Sequence, residues 1–240
     1  MRPVTIGFVV ALAAAAAIAL AVREWRPEVG CSREPGAAVD WTGCNRQALD
    51  LEGGSFAGMI FVQAEISRST LAGANLRGAD FTRARLDRVV FDGADLREAI
   101  FDRAEGPRSS FRNANLTGAD LGKAILPRGD FHGAELSGAI LAKTDLQRSD
   151  LQTAALQGAD LREALLGRAD LRGAKLADAR LDRAYLMLAD LRGVDLSTVQ
   201  GLTTAQLADA CGDAATQLPP GLTTPETWPC TSLEPATAEP

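Results

Sequence analysis

A single spacing dominates this chain: a large apolar residue recurs at every fifth position from Leu51 to Leu196. Leu, Phe or Ile occupies 29 of these 30 positions, and Gly106 is the exception. Two residues before each large residue the side chain is usually small, and 20 of the 30 such positions hold Ala. A period of five fits neither an α-helix nor a β-strand. It fits a chain that turns a corner every five residues and buries one large and one small side chain on each side.

Four such sides make a coil of 20 residues, and residues 20 positions apart sort by type as this coil predicts. Two residues after the large apolar residue, one column is rich in glycine, as at Gly53, Gly73 and Gly93. Glycine there indicates a turn with positive φ. Two other columns are basic, and they contain Arg68, Arg88, Arg108, Arg128, Arg148 and Arg168 in one and Arg83, Arg103, Lys123 and Lys143 in the other.

This pattern resembles that of the pentapeptide-repeat family over residues 51–200. The resemblance implies an all-β fold, a right-handed, four-sided parallel β-helix solenoid whose large and small repeat residues point inward. Thirty repeats give about seven and a half coils, or about 35 Å at about 4.8 Å per coil. At Gly106-Pro107 one core position has no side chain, and we expect a local bulge there.

The first residues of the chain predict an export segment. Arg2 precedes an almost wholly apolar run, Val4–Val22. Such a run describes a secretory signal peptide over residues 1–21, or an uncleaved N-terminal membrane anchor. Either alternative predicts that the rest of the chain is exported, into the periplasm or the medium.

The residues that flank the repeat are expected to cap its ends, because the open ends of a solenoid must be covered. Residues 22–50 form the predicted N-terminal cap, and residues 201–240 form the C-terminal one. In the latter, Thr203 or Thr204 is expected to begin a short helix that Gly212 ends. The last residues, 232–240, are expected to be disordered because they are rich in Pro, Ala, Thr and Glu.

Each predicted cap contains two cysteines, Cys31 and Cys44 in the first and Cys211 and Cys230 in the second. Four cysteines allow three pairings. A disulfide needs Cα atoms about 5–6 Å apart, whereas the two caps are expected to be about 35 Å apart. The predicted disulfides are therefore Cys31–Cys44 and Cys211–Cys230, and export to an oxidising compartment agrees with them.

The sequence offers little chemistry. Its one histidine, His132, is expected on the surface, with no nucleophile placed to use it. A column of four aspartates is expected to be solvated or ion-paired rather than to bind a metal ion, and it consists of Asp130, Asp150, Asp170 and Asp190. No phosphate-binding glycine loop is present in the sequence. We therefore predict a protein without catalytic residues, metal or cofactor, which is not an enzyme.

The net charge of −6 belongs mostly to the tail, because residues 201–240 hold five acidic and no basic side chains. Residues 51–200 hold 20 basic and 21 acidic side chains. That balance argues against a strongly basic nucleic-acid binder and against an acidic mimic of DNA. A DNA mimic that protects topoisomerases is an activity known in the family that the chain resembles, and the export segment also disfavours it.

Our leading hypothesis is a structural scaffold outside the cytoplasm that binds a protein partner through its flat faces. The alternative is that the two basic columns bind a polyanion, such as an anionic glycan or lipid headgroups. The basic columns are also compatible with intramolecular pairing to the aspartate column, which would make them a matter of solubility. Because the C-terminal segment is expected to cover the end through which some family members pair, we expect a monomer.

Overall fold

A computed structural model describes residues 30–228 of the chain. The predicted signal peptide or anchor, Cys230 and the predicted disordered tail lie outside these residues. The chain winds as a four-sided coil in which isolated parallel β-bridges join residues 20 positions apart, from Asp40↔Ile60 to Arg180↔Gln200. In the described part of the chain these one-residue bridges take the place of longer strands, and one helix, α1, spans Thr204–Ala208.

Each five-residue unit turns a corner and ties its coil to the next one, as the unit at Leu71 illustrates. The Leu71 N–H donates to the carbonyl of Val90 at 2.7 Å, and the Gly73 N–H donates to that of Asp92 at 2.8 Å. The Ala74 N–H instead donates back to the Leu71 carbonyl at 3.1 Å and so closes a β-turn. The predicted corner every five residues is therefore confirmed.

The core is a set of columns in which side chains of the same kind stack. The rings of Phe61, Phe81 and Phe101 are fully buried and lie parallel, with successive centroids 4.7 Å apart. Trp41 closes this column with an edge-on contact, its ring centroid 5.8 Å from that of Phe61. The small residue of each unit is buried beside the large one, as at Ala84. The prediction that both point inward is confirmed.

The residue between the small and the large one is often Asp or Asn, and the structure gives the reason. Its side chain accepts a hydrogen bond from the backbone N–H two residues later, inside the turn. Asp80 Oδ1 accepts from the Thr82 N–H at 2.8 Å, and Asn75 Oδ1 accepts from the Arg77 N–H at 3.2 Å. These side chains satisfy a turn N–H that the coil-to-coil bonds leave over.

Every corner has a residue with positive φ. Each fifth residue from Ala38 to Gly193 has a φ between 53° and 70°. A type II turn needs this conformation at its third residue. The glycine column therefore has the predicted role, but 20 of the corner residues are not glycine, and both basic columns lie at corners as well.

The corner at Thr153 is strained, because a β-branched residue rarely adopts a positive φ and Thr153 has a φ of 58°. Its neighbours in the column are Gly133 and Gly173. We expect Thr153→Gly to raise the free energy of unfolding by about 1 kcal/mol, since the left-handed region costs a residue other than glycine about that much. Urea denaturation measures it. The control is Ala142→Gly, at a turn position without positive φ, which we expect to lower stability; a loss of stability for Thr153→Gly would contradict the strain.

The coil begins before the predicted boundary at Leu51. The first bridge involves Asp40, and Trp41 already occupies an inward position.

The predicted Cys31–Cys44 disulfide is confirmed, with Cα atoms 5.4 Å apart. The Trp41 indole N–H donates to the Arg33 carbonyl at 3.3 Å, so the disulfide-linked loop lies against the first coil and covers its end.

The expected bulge at Gly106-Pro107 does not form, and that expectation was wrong. The bridge Glu105↔Ile125 stays in register, and the Gly106 N–H donates to the Ile125 carbonyl at 2.8 Å. Proline is favoured at the second residue of a type II turn, so Pro107 fits the corner. A side chain is not needed at Gly106, because atoms of Leu86 and Leu126 lie 3.0 and 3.1 Å from where its Cβ would be.

Helix α1 closes the C-terminal end. Thr203 is its N-cap and forms a capping box with Gln206, which confirms one of the two predicted start residues. The Gln206 side-chain amide donates to the carbonyls of Leu181 and Ala184, both at 2.9 Å. The helix ends at its C-cap Asp209, ahead of the predicted Gly212.

Candidate anion-binding face

Both basic columns border the same side of the solenoid. The corner residues Arg83 and Arg88 lie on either side of Arg85. The same two corners border this side at every coil, because the bridges keep residues 20 positions apart in line. We call the column from Arg68 to Arg168 the arginine corner. We call the whole side, including both of its corners, the basic face. It consists of residues 63–68 and the segments that follow at intervals of 20 residues, up to 183–188. All ten predicted anion-binding residues lie at its edges and are exposed.

The basic face concentrates positive charge. It contains twelve basic and five acidic side chains, a net charge of +7. The other three sides of residues 51–200 hold eight basic and 16 acidic side chains, a net charge of −8. The near-neutral total for residues 51–200 therefore hides a strong separation of charge, which the sum along the sequence did not reveal. The basic residues are Arg68, Arg83, Arg85, Arg88, Arg103, Arg108, Lys123, Arg128, Lys143, Arg148, Arg168 and Arg183.

The six guanidinium groups of the arginine corner have no acidic partner within the described residues. In the other basic column, Arg103 lies 3.9 Å from Asp102, and Lys143 lies 3.7 Å from Glu163. A column of unpaired arginines about 24 Å long, one per coil, is thus open to solvent along one edge. Such groups are free to make paired hydrogen bonds with phosphate or carboxylate oxygens.

The aspartate column does not neutralise the arginine corner, although the sequence left that interpretation open. Asp170 and Asp190 are paired instead with arginines on the opposite flank of their own side. Arg172 lies 2.6 Å from Asp170, and Arg192 lies 2.6 Å from Asp190. Asp130 is paired in the same way, 2.7 Å from Arg112. Three of the four aspartates that were expected to be solvated or ion-paired are therefore ion-paired, with partners other than the arginine corner, and Asp150 lies 3.8 Å from His132 instead.

On the two remaining sides the ion pairs are tight. The hydrogen-bonded Arg97 guanidinium lowers the pKa of the Asp95 carboxyl below its ordinary value, and Arg162 lowers the pKa of Asp160 in the same way. The corresponding pKa of Arg97 and of Arg162 is raised. These arginines stay bound to their own carboxylates at neutral pH, so they contribute less to anion binding than the arginine corner does.

A groove of about 470 Å³ lies on the N-terminal half of the basic face. Its lining includes Arg68, Arg88 and Arg108 of the arginine corner, together with Arg85 and the carboxylates of Glu65 and Asp87. The Arg85 guanidinium is 2.9 Å from Glu65, so that pair is internally neutral. The groove therefore offers an anion three unpaired guanidinium groups side by side.

His132 is half-buried on the aspartate side, with its Nδ1 3.8 Å from Asp150 Oδ2. Residues 30–228 contain no cluster of His, Cys, Asp and Glu able to hold a metal ion. Over the same range, no helix combines the length and the apolar character needed to cross a membrane. Cys211 is disulfide-bonded, and its predicted partner, Cys230, lies outside the described residues.

Comparisons with known proteins identify the repeat. The family model for pentapeptide repeats matches in 8 copies, over residues 47–83, 64–103, 90–128, 130–167 and 164–199. These segments cover more than half of the chain. No curated protein sequence shows significant similarity.

Several solved structures are similar. HetL, a pentapeptide-repeat protein involved in heterocyst differentiation regulation in the cyanobacterium Nostoc sp. strain PCC 7120, is 26% identical with a TM-score of 0.47, over 81% of this chain and 92% of that one. Rfr23 from the cyanobacterium Cyanothece 51142 is 21% identical with a TM-score of 0.30, over 60% and 91%. QnrB1, a plasmid-mediated fluoroquinolone resistance protein, is 18% identical with a TM-score of 0.38, over 77% and 91%.

Because all three TM-scores are below 0.5, the family assignment rests on the sequence match. This chain belongs to the pentapeptide-repeat family, whose fold is a right-handed, four-sided β-helix.

Proposed function

We propose that the protein is a non-catalytic binding module that works outside the cytoplasm and holds a polyanion on its basic face. The observation that carries this proposal is the arginine corner, six exposed guanidinium groups without acidic partners beside a face of net charge +7. The expected ligand carries phosphate or carboxylate groups along its length, as an anionic glycan or an array of lipid headgroups does.

The proposed location rests on the N-terminal sequence and on the cysteines. The run Val4–Val22 is typical of an export segment. The Cys31–Cys44 disulfide supports an oxidising compartment, since disulfides persist there and are rare in the cytosol.

Two other hypotheses receive less support. A mimic of DNA needs a strongly acidic face, whereas here the negative charge is spread over three sides, and Asp130, Asp170 and Asp190 are paired with arginines. A protein partner, our leading hypothesis from the sequence, stays a prediction. The unpaired arginines favour a ligand that itself carries regular negative charge. The covered solenoid ends support the predicted monomer.

The test removes three charges from the arginine corner without disturbing the corner itself. In the variant Arg108→Gly, Arg128→Gly, Arg148→Gly, each new residue is the type that other corners carry, and it accepts the positive φ. We expect binding of fluorescent heparin, the probe, to weaken roughly 100-fold at low salt, taking about 1 kcal/mol for each basic residue at an anionic surface. Binding of the unchanged protein should weaken steeply as salt is added.

The matched control removes three arginines that already have acidic partners. Arg77→Gln, Arg97→Gln, Arg162→Gln gives the same change in net charge on other sides of the solenoid. We expect this variant to bind heparin within a factor of about two of the unchanged protein, because paired surface arginines contribute little. Equal losses in both variants would mean that only net charge matters, and undiminished binding by the arginine-corner variant would refute the proposed site.

A further inference from the structure

The basic face also exposes apolar side chains at its C-terminal end. Of the seven large apolar side chains that residues 30–228 leave exposed, five lie on this face. Four of them are neighbours, and we call them the apolar end: Leu165, Tyr185, Met187 and Leu188, which are 37%, 41%, 44% and 36% exposed.

The apolar end is a built surface. A parallel bridge places Tyr185 directly beside Leu165 in the same column. The Tyr185 ring lies over Gly167, where an added Cβ would be 3.0 Å from its Cε1. The Tyr185 hydroxyl donates to Met187 Sδ at 3.1 Å. Leu188 takes the corner that follows Arg168, so the apolar end continues the arginine corner without a break.

We propose that the basic face docks on an anionic lipid bilayer, with the arginine corner on the headgroups and the apolar end in the interface. This inference rests on the proposed function and names the source of the anionic groups. A soluble polyanion gains nothing from four exposed apolar side chains, whereas a peripheral membrane surface combines basic residues with apolar ones that enter the headgroup region. Tyrosine, which is amphipathic, is enriched in this headgroup region of membranes.

Charge and position agree with a bilayer as the occupant. Arg168 and Arg183 flank the apolar end, and the side chain of Arg183 is 81% exposed. Basic side chains beside apolar ones that enter the interface would lie at the level of the anionic headgroups. The attraction between them acts within about one Debye length. Because the bridges keep residues 20 positions apart in line, the arginine corner and the apolar end follow one edge and can reach one plane together.

The experiment is co-sedimentation of the exported protein with two kinds of vesicle, phosphatidylcholine alone and phosphatidylcholine with about one third phosphatidylglycerol. The apolar-end variant is Leu165→Asn, Met187→Gln, Leu188→Gly, which leaves the charge unchanged. Each new residue has a precedent in its column or corner type, at Asn45, Gln147 and Gly193. The control is Ile100→Asn, Ile140→Asn, which removes two exposed apolar residues from another side.

We expect the unchanged protein and the control to bind the anionic vesicles and not the neutral ones. The apolar-end variant should bind the anionic vesicles at least about tenfold more weakly, because it loses apolar area buried in the interface. It should bind soluble heparin as the unchanged protein does.

The outcomes separate this inference from the proposed function. Heparin binding without vesicle binding, or vesicle binding that the apolar-end variant retains, overturns the bilayer and leaves the polyanion site standing. Equal loss of heparin binding in the apolar-end variant also overturns it, because the apolar end would then belong to a site for a soluble ligand or a protein. Failure to bind either probe overturns both.

Discussion

Phe81→Ala is expected to lower the free energy of unfolding by about 3–5 kcal/mol, the usual range for removing a buried phenylalanine. Phe81 is fully buried, stacked at 4.7 Å between Phe61 and Phe101, and in edge contact with Phe91 at 5.5 Å. The gap cannot close by collapse, because hydrogen bonds such as that from the Phe81 N–H to the Ile100 carbonyl at 2.7 Å fix the spacing of the coils. The cost should therefore lie at the upper part of the range.

Denaturation in urea measures this loss, and Ile140→Ala is its control. Ile140 is large and apolar but 44% exposed and points outward. We expect its truncation to cost less than about 1 kcal/mol, since little buried apolar area is removed. Similar losses at the two positions would contradict the assignment of the fifth-residue phenylalanines as the structural core.

Removing the Cys31–Cys44 disulfide, by Cys31→Ala with Cys44→Ala, is expected to destabilise the first coil by about 3 kcal/mol, the entropic value for a loop of this size. Each coil of a solenoid contacts only its neighbours, so the effect should stay local. Hydrogen exchange followed by mass spectrometry should show backbone amides of residues 38–48 exchanging about 100-fold faster.

The amides around Phe131, in the middle of the solenoid, provide the internal control for the disulfide variant. Their exchange should change by less than about twofold, because several coils separate them from the cap. Uniformly faster exchange along the chain would indicate that the disulfide stabilises the solenoid as a single cooperative unit, contrary to this prediction. Unchanged exchange in residues 38–48 would show that the cap holds without it.

Much of the fold could be predicted because every unit repeats the same geometry. One large and one small inward residue, one corner and one coil of 20 residues explain the whole span from Leu51 to Leu196. The first coil was missed because Trp41 and Arg46 stand where later units have Leu, Phe or Ile. The bulge was wrongly expected because Gly106-Pro107 interrupts the core pattern, whereas the backbone of a type II turn accepts Pro107.

The candidate site was predicted only in part. The two basic columns were visible in the sequence, but their common face was not used. Adding charge along residues 51–200 averages the basic face with its acidic neighbours. Counting charge separately for each side of the coil would have shown the separation. The apolar end could also be read from the sequence, because Leu165 and Leu188 fall outside the five-residue core series, but single apolar residues at outward positions do not show that they adjoin one another.

The two spacings in this fold, five residues for the core and 20 for the surface, have different consequences when the chain changes length. A deletion of five residues keeps every inward residue in phase, so the core survives. It also rotates all later residues by a quarter turn. A deletion between Arg108 and Arg128 would therefore move Arg128, Arg148 and Arg168 off the edge that carries Arg88 and Arg108. Only the gain or loss of a whole coil preserves both the interior and the surface. Stability therefore tolerates insertions and deletions of five residues that recognition by the surface does not.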